Sequence, residues 1–576
     1  MSRSRLGRYL PLFTHLHAQD RGAFGDDLLA GSITAILLIP QGMAYALLAG
    51  LPPEMGLYAS IVPPFVYAFF GTSRALSVGP VAVAALMVAS ALSAYADGNQ
   101  AKYLTGALIL AAETGMILLA LGMFRLGALV SFISHPVLSG FTAGAAVLII
   151  TSQLKHLTGI DVPRGEGFET VQAVTMKLAE INVETLAFGL ASVALLVLTQ
   201  KHLQRLLGWF GVSARTAAIT ARTAPLFIVI AATALAAALQ ADTSAGVAVV
   251  GAIPPGLPTP TLAFLTASGW IELLPSAVLI ALVGYVESVS VAKVLAARRR
   301  QKIDANQELT ALGITNVAAA VAGTMPVAGG FSRSVVNFDA GARTQLAAII
   351  TAGLVAIVAL FFTAWFHYLP NAVLAAIIVV AVAKLIDIPG ARRVWAYDRA
   401  DGVALLVTAL AVLVLGIEEG LLVGIGLSLA LYLWRTSKPH LAVVGRVPGT
   451  EHFRNVCRHV VETDPRLLIV RIDENLYFAN TEAVEVYLMN HIEANDQVEH
   501  VVLLLSAVSY IDSSALEVLE HLADDLHAAG ITLHLAEVKG PVMDRLQNSV
   551  LIASLGKHRI HLTTHQAVEA FEDSTV

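Results

Sequence analysis

The chain has 576 residues, 56% of them apolar and 14% charged, with a mean hydropathy of +0.72 and a net charge of −6. Soluble proteins carry about 25% charged residues, so a single soluble globule is excluded, and the apolar content excludes disorder. The one cysteine, Cys457, leaves no intramolecular disulfide and no multi-cysteine metal site, and the mild acidity gives no sign of nucleic-acid binding. The chain reads as a polytopic membrane protein whose chemistry changes near residue 437. Residues 1–436 hold 26 basic and 22 acidic residues, and residues 437–576 hold 10 and 20. The break falls at Trp434-Arg435-Thr436-Ser437-Lys438-Pro439, a membrane exit and linker by its basic residues and proline. The expected domains are a cytoplasmic segment over 1–26, a transmembrane domain over 27–436 and a cytoplasmic domain over 437–576. Residues 1–25 are polar and basic, so no signal peptide is expected before the first span.

A helical crossing needs roughly 20 apolar residues. Windows of that length predict spans near 27–49, 54–71, 103–122, 127–152, 184–204, 219–240, 271–296, 306–323, 344–364, 367–386, 401–417 and 419–435. Two further apolar stretches, 79–92 and 331–340, are too short to cross, and each opens with a small-residue run: SVGPVAV (77–83) and GGFSRSVVN (329–337). Together these make fourteen segments. With the N-terminus inside, the even-numbered segments end beside Arg74, Arg125, Lys201, Arg205, Arg298, Arg299, Arg300, Lys302, Arg392, Arg393, Arg435 and Lys438. The other loops are poorer in basic residues, and this positive-inside bias puts both termini in the cytoplasm.

The short segments fall third and tenth, seven apart. Interrupted segments at equivalent places in two halves point to a transporter binding site, and a repeat of seven spans inverts one half against the other. Two half-helix N-termini then face each other near the midplane. Each presents unpaired N–H groups and about half a positive charge, so the pair forms an anion site. In segment three, Gly79 allows close backbone approach, Pro80 suits the first helical position, and Val81 follows. Segment ten begins Gly329-Gly330-Phe331-Ser332-Arg333-Ser334. Its glycines expose backbone, Ser332 and Ser334 offer hydroxyl donors or helix caps, and Arg333 offers a planar donor fork suited to oxyanions. Glu287, within ALVGYVESVSVAKVL (281–295), is an intramembrane carboxyl. It is expected to carry a proton, or to form a fixed ion pair with Arg333 or Lys293; both hold if the pair breaks during the cycle. Glu113 is a weaker candidate of the same kind and reads as a buried hydrogen-bonded carboxyl. His135 is expected to line a helix end. Asn337 and Asp339 are expected to pack or cap. His558, His561 and His565 are spaced too loosely for a metal site.

Four stretches resemble the SulP family of anion transporters, the sulfate permeases. They are residues 27–74, SVGPVAV (77–83), FRLGALVSFISHPVLSGFTAGAAV (124–147) and GGFSRSVVNFDAGART (329–344). The resemblance implies a seven-plus-seven inverted repeat of the uracil-permease type, with core and gate domains, a homodimer, and an elevator-like motion. It also implies an anion lying between segments three and ten. GGFSRSVVN looks most like the plant sulfate transporters. Bacterial bicarbonate importers of the family lack that Arg and use an Asp and a Thr on segment eight for sodium. Here those positions carry Glu287 and Val291, which argues against sodium. A dicarboxylate branch keeps the Arg, so bicarbonate or C4-dicarboxylate transport stays open, as does chloride-type exchange or conduction. Energetics favour a coupled importer: a dianion entering an inside-negative cell costs about 4.6 kcal/mol per 100 mV, and inward protons offset it. The leading expectation is proton-coupled sulfate import across a bacterial plasma membrane, with no cofactor and no enzymatic activity.

Residues 440–576 read as a small α/β domain, with strands at 467–472, 501–505 and 531–535 and helices near 481–494, 513–529 and 541–549. VVLLLSAVSYIDSSALEVL (501–519) resembles STAS domains, the modules shared by sulfate transporters and anti-sigma-factor antagonists. In the antagonists the second Ser of the motif is phosphorylated, which points to Ser514, although Ala515 replaces the usual Gly. Asp512 and Ser513 equally suit an N-cap. Dimerisation, trafficking or modulation by a cytoplasmic partner is the broader expectation.

Overall fold

The computed structural model describes residues 10–13, 23–128, 134–160 and 167–574. It divides into two compact units, one ending at Ser428 and the other beginning at Leu429.

All fourteen expected segments are helical. The first half of unit one runs α1 Ala23–Leu48, α2 Pro53–Tyr58, α3 Val62–Phe70, β1 Val78–Gly79, α4 Ala82–Ala96, α5 Gln100–Met123, α6 His135–Thr158 and α7 Val183–Leu198, then α8 Ala214–Ala238. The second half runs α9 Trp270–Arg298, α10 Ala305–Val321, β2 Ala328–Gly329, α11 Phe331–Asp339, α12 Leu346–Phe361, α13 Asn371–Val382, α14 Arg399–Leu415 and α15 Ile417–Thr436. Among the described residues eight helices are long and apolar enough to cross a membrane. The expected second span is broken into α2 and α3, because Pro52, Pro53, Pro63 and Pro64 start new helices rather than continue one. Of the fifth, residues 129–133 lie outside the described residues, and its helix runs His135–Thr158 with Pro136 in the first turn.

Helices α1 to α5 pack with α9 to α12: α5 on α10 and α9, α1 on α12, α3 on α10. A second group forms where α6 packs on α14 and α13, and α7 on α13 and α8. Fully buried Tyr67, Tyr285, Leu38 and Met43 fill the first group. Small residues permit the closest approaches. Carbons added at Gly115 and Gly313 would strike the facing backbones of α10 and α5 at 2.6 and 2.9 Å.

The second unit is a six-stranded sheet of order β4-β3-β5-β6-β7-β8. Its strands are β3 Leu441–Arg446, β4 Phe453–Asn455, β5 Leu467–Ile472, β6 His500–Leu504, β7 Thr532–Ala536 and β8 Ile560–His561. β5 to β8 run parallel, and β3 and β4 are antiparallel. Helices α16 Thr481–Glu493, α17 Ser513–Ala528, α18 Gly540–Leu546, α19 Val550–Leu555 and α20 Thr564–Ser574 complete it. The three expected strands and three expected helices are present. β3, β4 and β8 are additional: β4 and β8 are short strands at the two edges of the sheet, and β3 is a six-residue strand between β4 and β5.

Candidate functional site

Strands β1 and β2 form a two-residue antiparallel bridge, Val78 opposite Gly329 and Gly79 opposite Ala328. Each chain then turns into a helix, α4 at Ala82 and α11 at Phe331. Neither start has a side-chain cap: Val81 and Gly330 stand in the N-cap positions. The first-turn N–H groups of both helices therefore flank the bridge without intrahelical partners. Pro80 does not occupy the first helical position as expected. It lies before the cap, because Val81 is still extended at φ −128° and ψ 147°.

Arg333 is 3% exposed. Its guanidinium folds back over the start of its own helix. Nη1 donates to the Pro80 carbonyl at 2.5 Å, tying α11 to the entrance of α4. Among the described residues, Nε and Nη2 are buried and lack a partner. A carbon added at Gly330 would meet Nη2 at 2.8 Å and Cζ at 2.9 Å, and one at Gly79 would meet Nη2 at 3.4 Å. The glycines thus make room for the guanidinium as well as exposing backbone. A buried cation with two idle donors, beside two uncapped helix starts, offers donor chemistry that an anion can accept.

A cavity of about 390 Å³ reaches this point. Ser332 and Arg333 line it, with Gln41 and Pro40 of α1, Arg222 of α8 and Lys384 just past α13. Phe331 is 52% exposed beside them. Glu287 of α9 is half-buried and interacts electrostatically with Arg333, as does buried Tyr45 of α1. No Glu287 ion pair with Arg333 or Lys293 forms among the described residues. Glu113 is buried, and its Oε2 has no hydrogen-bond partner. Asp339 pairs with Arg222 at 3.1 Å, where packing or capping was expected. His135 starts α6, with Nδ1 3.2 Å from Ser139 Oγ.

Several residues hold the bridge in place, and most of them lie outside the expected set. Ser334, expected as a ligand or cap, clamps instead: its Oγ accepts from the Ser77 N–H at 2.9 Å and donates to the Gly330 carbonyl at 2.7 Å. Ser288 Oγ accepts from the Gly329 N–H at 2.7 Å. Asn316 accepts from the Val327 N–H at 2.8 Å and donates to the Val327 carbonyl at 3.0 Å. Asn337 donates to the Ala75 carbonyl at 3.0 Å. Fully buried Glu308 accepts from Tyr67 Oη at 2.7 Å and from the N–H groups of Thr72 and Ser73 at 2.7 and 3.1 Å. Asp27 accepts from the N–H groups of Arg343 and Thr344 at 2.6 and 3.0 Å. Glu308 and Asp27 sit at segment ends, where a carboxylate looks like an ordinary boundary residue.

Residues 24–408 match the family model described as Sulfate permease family, and residues 458–567 match the STAS domain model. The chain belongs to the sulfate permease family. Members of this family are transporters, not enzymes. "Sulfate transporter 4.1, chloroplastic" of Arabidopsis thaliana is 36% identical over 557 residues, covering 94% of this chain and 79% of the relative. A probable sulfate transporter of Mycobacterium tuberculosis is 36% identical over 547 residues, covering 95% of each chain. The fold is also that of murine Solute Carrier 26 family member A9, an anion transporter in the inward-facing state. That structure has a TM-score of 0.88 and 24% identity, covering 98% of this chain and 94% of the other. In the second unit the STAS motif opens α17. Asp512 is its N-cap, accepting from the Ala515 N–H at 2.8 Å, and Ser514 is exposed in the first turn. Among the described residues no His, Cys, Asp or Glu cluster is suited to a metal.

Proposed function

We propose that this sulfate permease family member is a secondary active importer that takes up sulfate with protons across a bacterial plasma membrane. The observation that carries the reading is Arg333: buried, with two of its three nitrogens idle, beside the uncapped starts of α4 and α11. A tetrahedral dianion accepts many hydrogen bonds at once. The guanidinium fork, the backbone around Val81 and Phe331, and the Ser332 hydroxyl converge on one such ion. Gly79, Pro80 and Gly330 shape the pocket, and Ser334 fixes its geometry. The curated relatives named as sulfate transporters favour this cargo.

Glu287 is the proton carrier of the reading. It interacts with Arg333 yet makes no fixed ion pair with it, so its charge can change as the anion comes and goes. A proton on Glu287 offsets part of the roughly 4.6 kcal/mol per 100 mV that the dianion costs to bring in. The cavity at Arg333 faces the cytoplasm when the positive-inside bias sets the orientation. Sliding the α1–α5/α9–α12 group against the other helices carries the site to the opposite face. The second helix group and the STAS domain supply a homodimer contact or bind a cytoplasmic partner, with Ser514 a possible modification site.

The test is uptake of radiolabelled sulfate into proteoliposomes at clamped potential, with and without an inward proton gradient. Bicarbonate, succinate and chloride serve as competitors. Gradient-driven accumulation is expected, abolished in Arg333→Ala and lost in Glu287→Gln with exchange retained. Uptake of a competitor in place of sulfate overturns the cargo. Undiminished proton-driven uptake in Glu287→Gln overturns the coupling role.

A further inference from the structure

A second, larger cavity of about 590 Å³ opens at the other end of the same bundle and does not reach Arg333. It lies between the C-terminal end of α1, the N-terminal end of α9, the C-terminal end of α6 and the N-terminal end of α15. A side-chain hydrogen bond crosses it from α9 to α15: Ser276 Oγ donates to Glu418 Oε2 at 3.0 Å. The other carboxylate oxygen, Oε1, is buried and has no partner among the described residues. The titratable groups lining the same cavity are Glu272 of α9, Glu419 of α15, Lys155 and His156 of α6, Tyr95 of α4 and Tyr103 of α5. Ser276 lies three helical turns from Glu287, on the helix that must shift when the anion site moves.

We propose that the Ser276–Glu418 bond is a proton-released latch that holds the site closed to the outer face until that face is acidic. The inference rests on the importer reading for which face is outer. Ionised Glu418 accepts a charge-assisted bond, about twice as strong as a neutral one. Protonation at the idle Oε1 removes the charge, weakens the bond and frees α9 to slide. Outer acid thus promotes the outward movement that loads sulfate, and neutral pH on that side restrains it. Glu418 is a positioning residue here: it touches neither the anion nor Arg333.

The experiment reads the movement without any substrate. Full-length protein carrying Cys457→Ser and a reporter Ser90→Cys, which lines this cavity, is placed in proteoliposomes. It is labelled from outside with an impermeant thiol reagent at pH 7.5 and 5.5. Labelling is compared between the parent and Glu418→Gln at each pH, so that the pH dependence of the thiol cancels. At pH 7.5 Glu418→Gln is expected to label about fivefold faster than the parent, from the strength lost with the charge. At pH 5.5 the two should converge. Ser276→Ala should label fast at both pH values, and Glu418→Asp, which shortens the reach, should behave alike if Glu418→Gln fails to fold. Equal rates in parent and Glu418→Gln at both pH values overturn the latch, as does a parent-like pH dependence in Ser276→Ala. A parent that takes up no sulfate yet shows the pH-dependent difference overturns the importer reading and supports the latch.

Discussion

Gly330 shows how closely one residue is fitted to the anion site. A methyl group there would meet the Arg333 guanidinium at 2.8 to 2.9 Å, but it would meet no backbone so closely. The obstructing atoms are the far end of a flexible side chain, and the backbone at Gly330 is ordinary, at φ −80° and ψ 127°. Gly330→Ala is therefore expected to fold normally while pushing the guanidinium off the bridge. The loss of one charge-assisted contact is worth about 1.5–3 kcal/mol, or roughly 10- to 100-fold in affinity. Sulfate binding by calorimetry, beside the thermal unfolding midpoint, separates the two effects. An unchanged affinity would mean that the guanidinium position is irrelevant to binding.

At the scale of elements, two strands of two residues each carry the geometry of the site, and they are too short to be stable alone. They persist because α9, α10 and α11 each contribute a side chain to them: Ser288, Asn316 and Ser334. Ser334→Ala leaves the buried Ser77 N–H without its acceptor, at a cost of about 1–3 kcal/mol. Because the clamp orients both helix starts, affinity should fall along with stability. Urea unfolding together with anion binding checks this, and a stability loss with unchanged binding would separate clamp from site. The half-helices themselves were legible in the sequence, since a Gly- and Ser-rich run opening an apolar stretch too short to cross the membrane has few other uses. Asn316 and Glu308 were not legible, because a polar residue in an apolar span shows its presence but not its partner. Glu308 finds Thr72 more than 200 positions away. Pro80 was misplaced by two positions for a similar reason: the bridge to β2, invisible locally, keeps Val81 extended.

In the second unit, an equally long-range arrangement links three imidazoles across three strands. His500 Nδ1 lies 3.0 Å from His534 Nε2, and His534 Nδ1 lies 3.1 Å from His561 Nε2. Burial and the neighbouring His500, His561, Arg559 and His558 push His534 down to about 4, and burial also lowers His500 and His561. Glu499 opposes the shift at His500, where Arg559 and Arg466 add to it. In the unfolded chain a histidine binds its proton near 6.5. Between about 6.5 and 4 the unfolded state therefore holds more protons than the folded one, so stability rises with pH across that window. The ladder's contribution is complete above about 6.5 and is lost as pH falls towards 4. Hydrogen exchange of residues 500–504 and 532–536 in the full-length protein, corrected for intrinsic rates, should show protection falling between pH 7 and 5. Protection unchanged over that range would mean that the ladder tolerates protonation.

For the whole molecule, the question is whether the STAS domain takes part in choosing the anion. The donors assembled around Arg333 come from residues 79–84 and 330–333, and the cavity that reaches them is lined by residues 37–384. The main apolar core of the first unit ends at Leu421 among its buried members, and the cores of the second draw only on residues from Ala442 onward. Each unit therefore has the buried apolar surface that folding requires, and every ligand in the proposed anion site belongs to the first. Deleting residues 440–576 should leave the competition order among sulfate, bicarbonate, succinate and chloride unchanged. The deletion can still lower the amount of assembled protein or the turnover, if the domain serves the assembly or control role proposed for it. Uptake normalised to reconstituted protein, beside competition curves for each anion, resolves the two quantities. An altered competition order in the truncated protein would place part of the selectivity outside the helices and contradict the division of labour argued here. A changed rate with the same order would assign the domain to assembly or control.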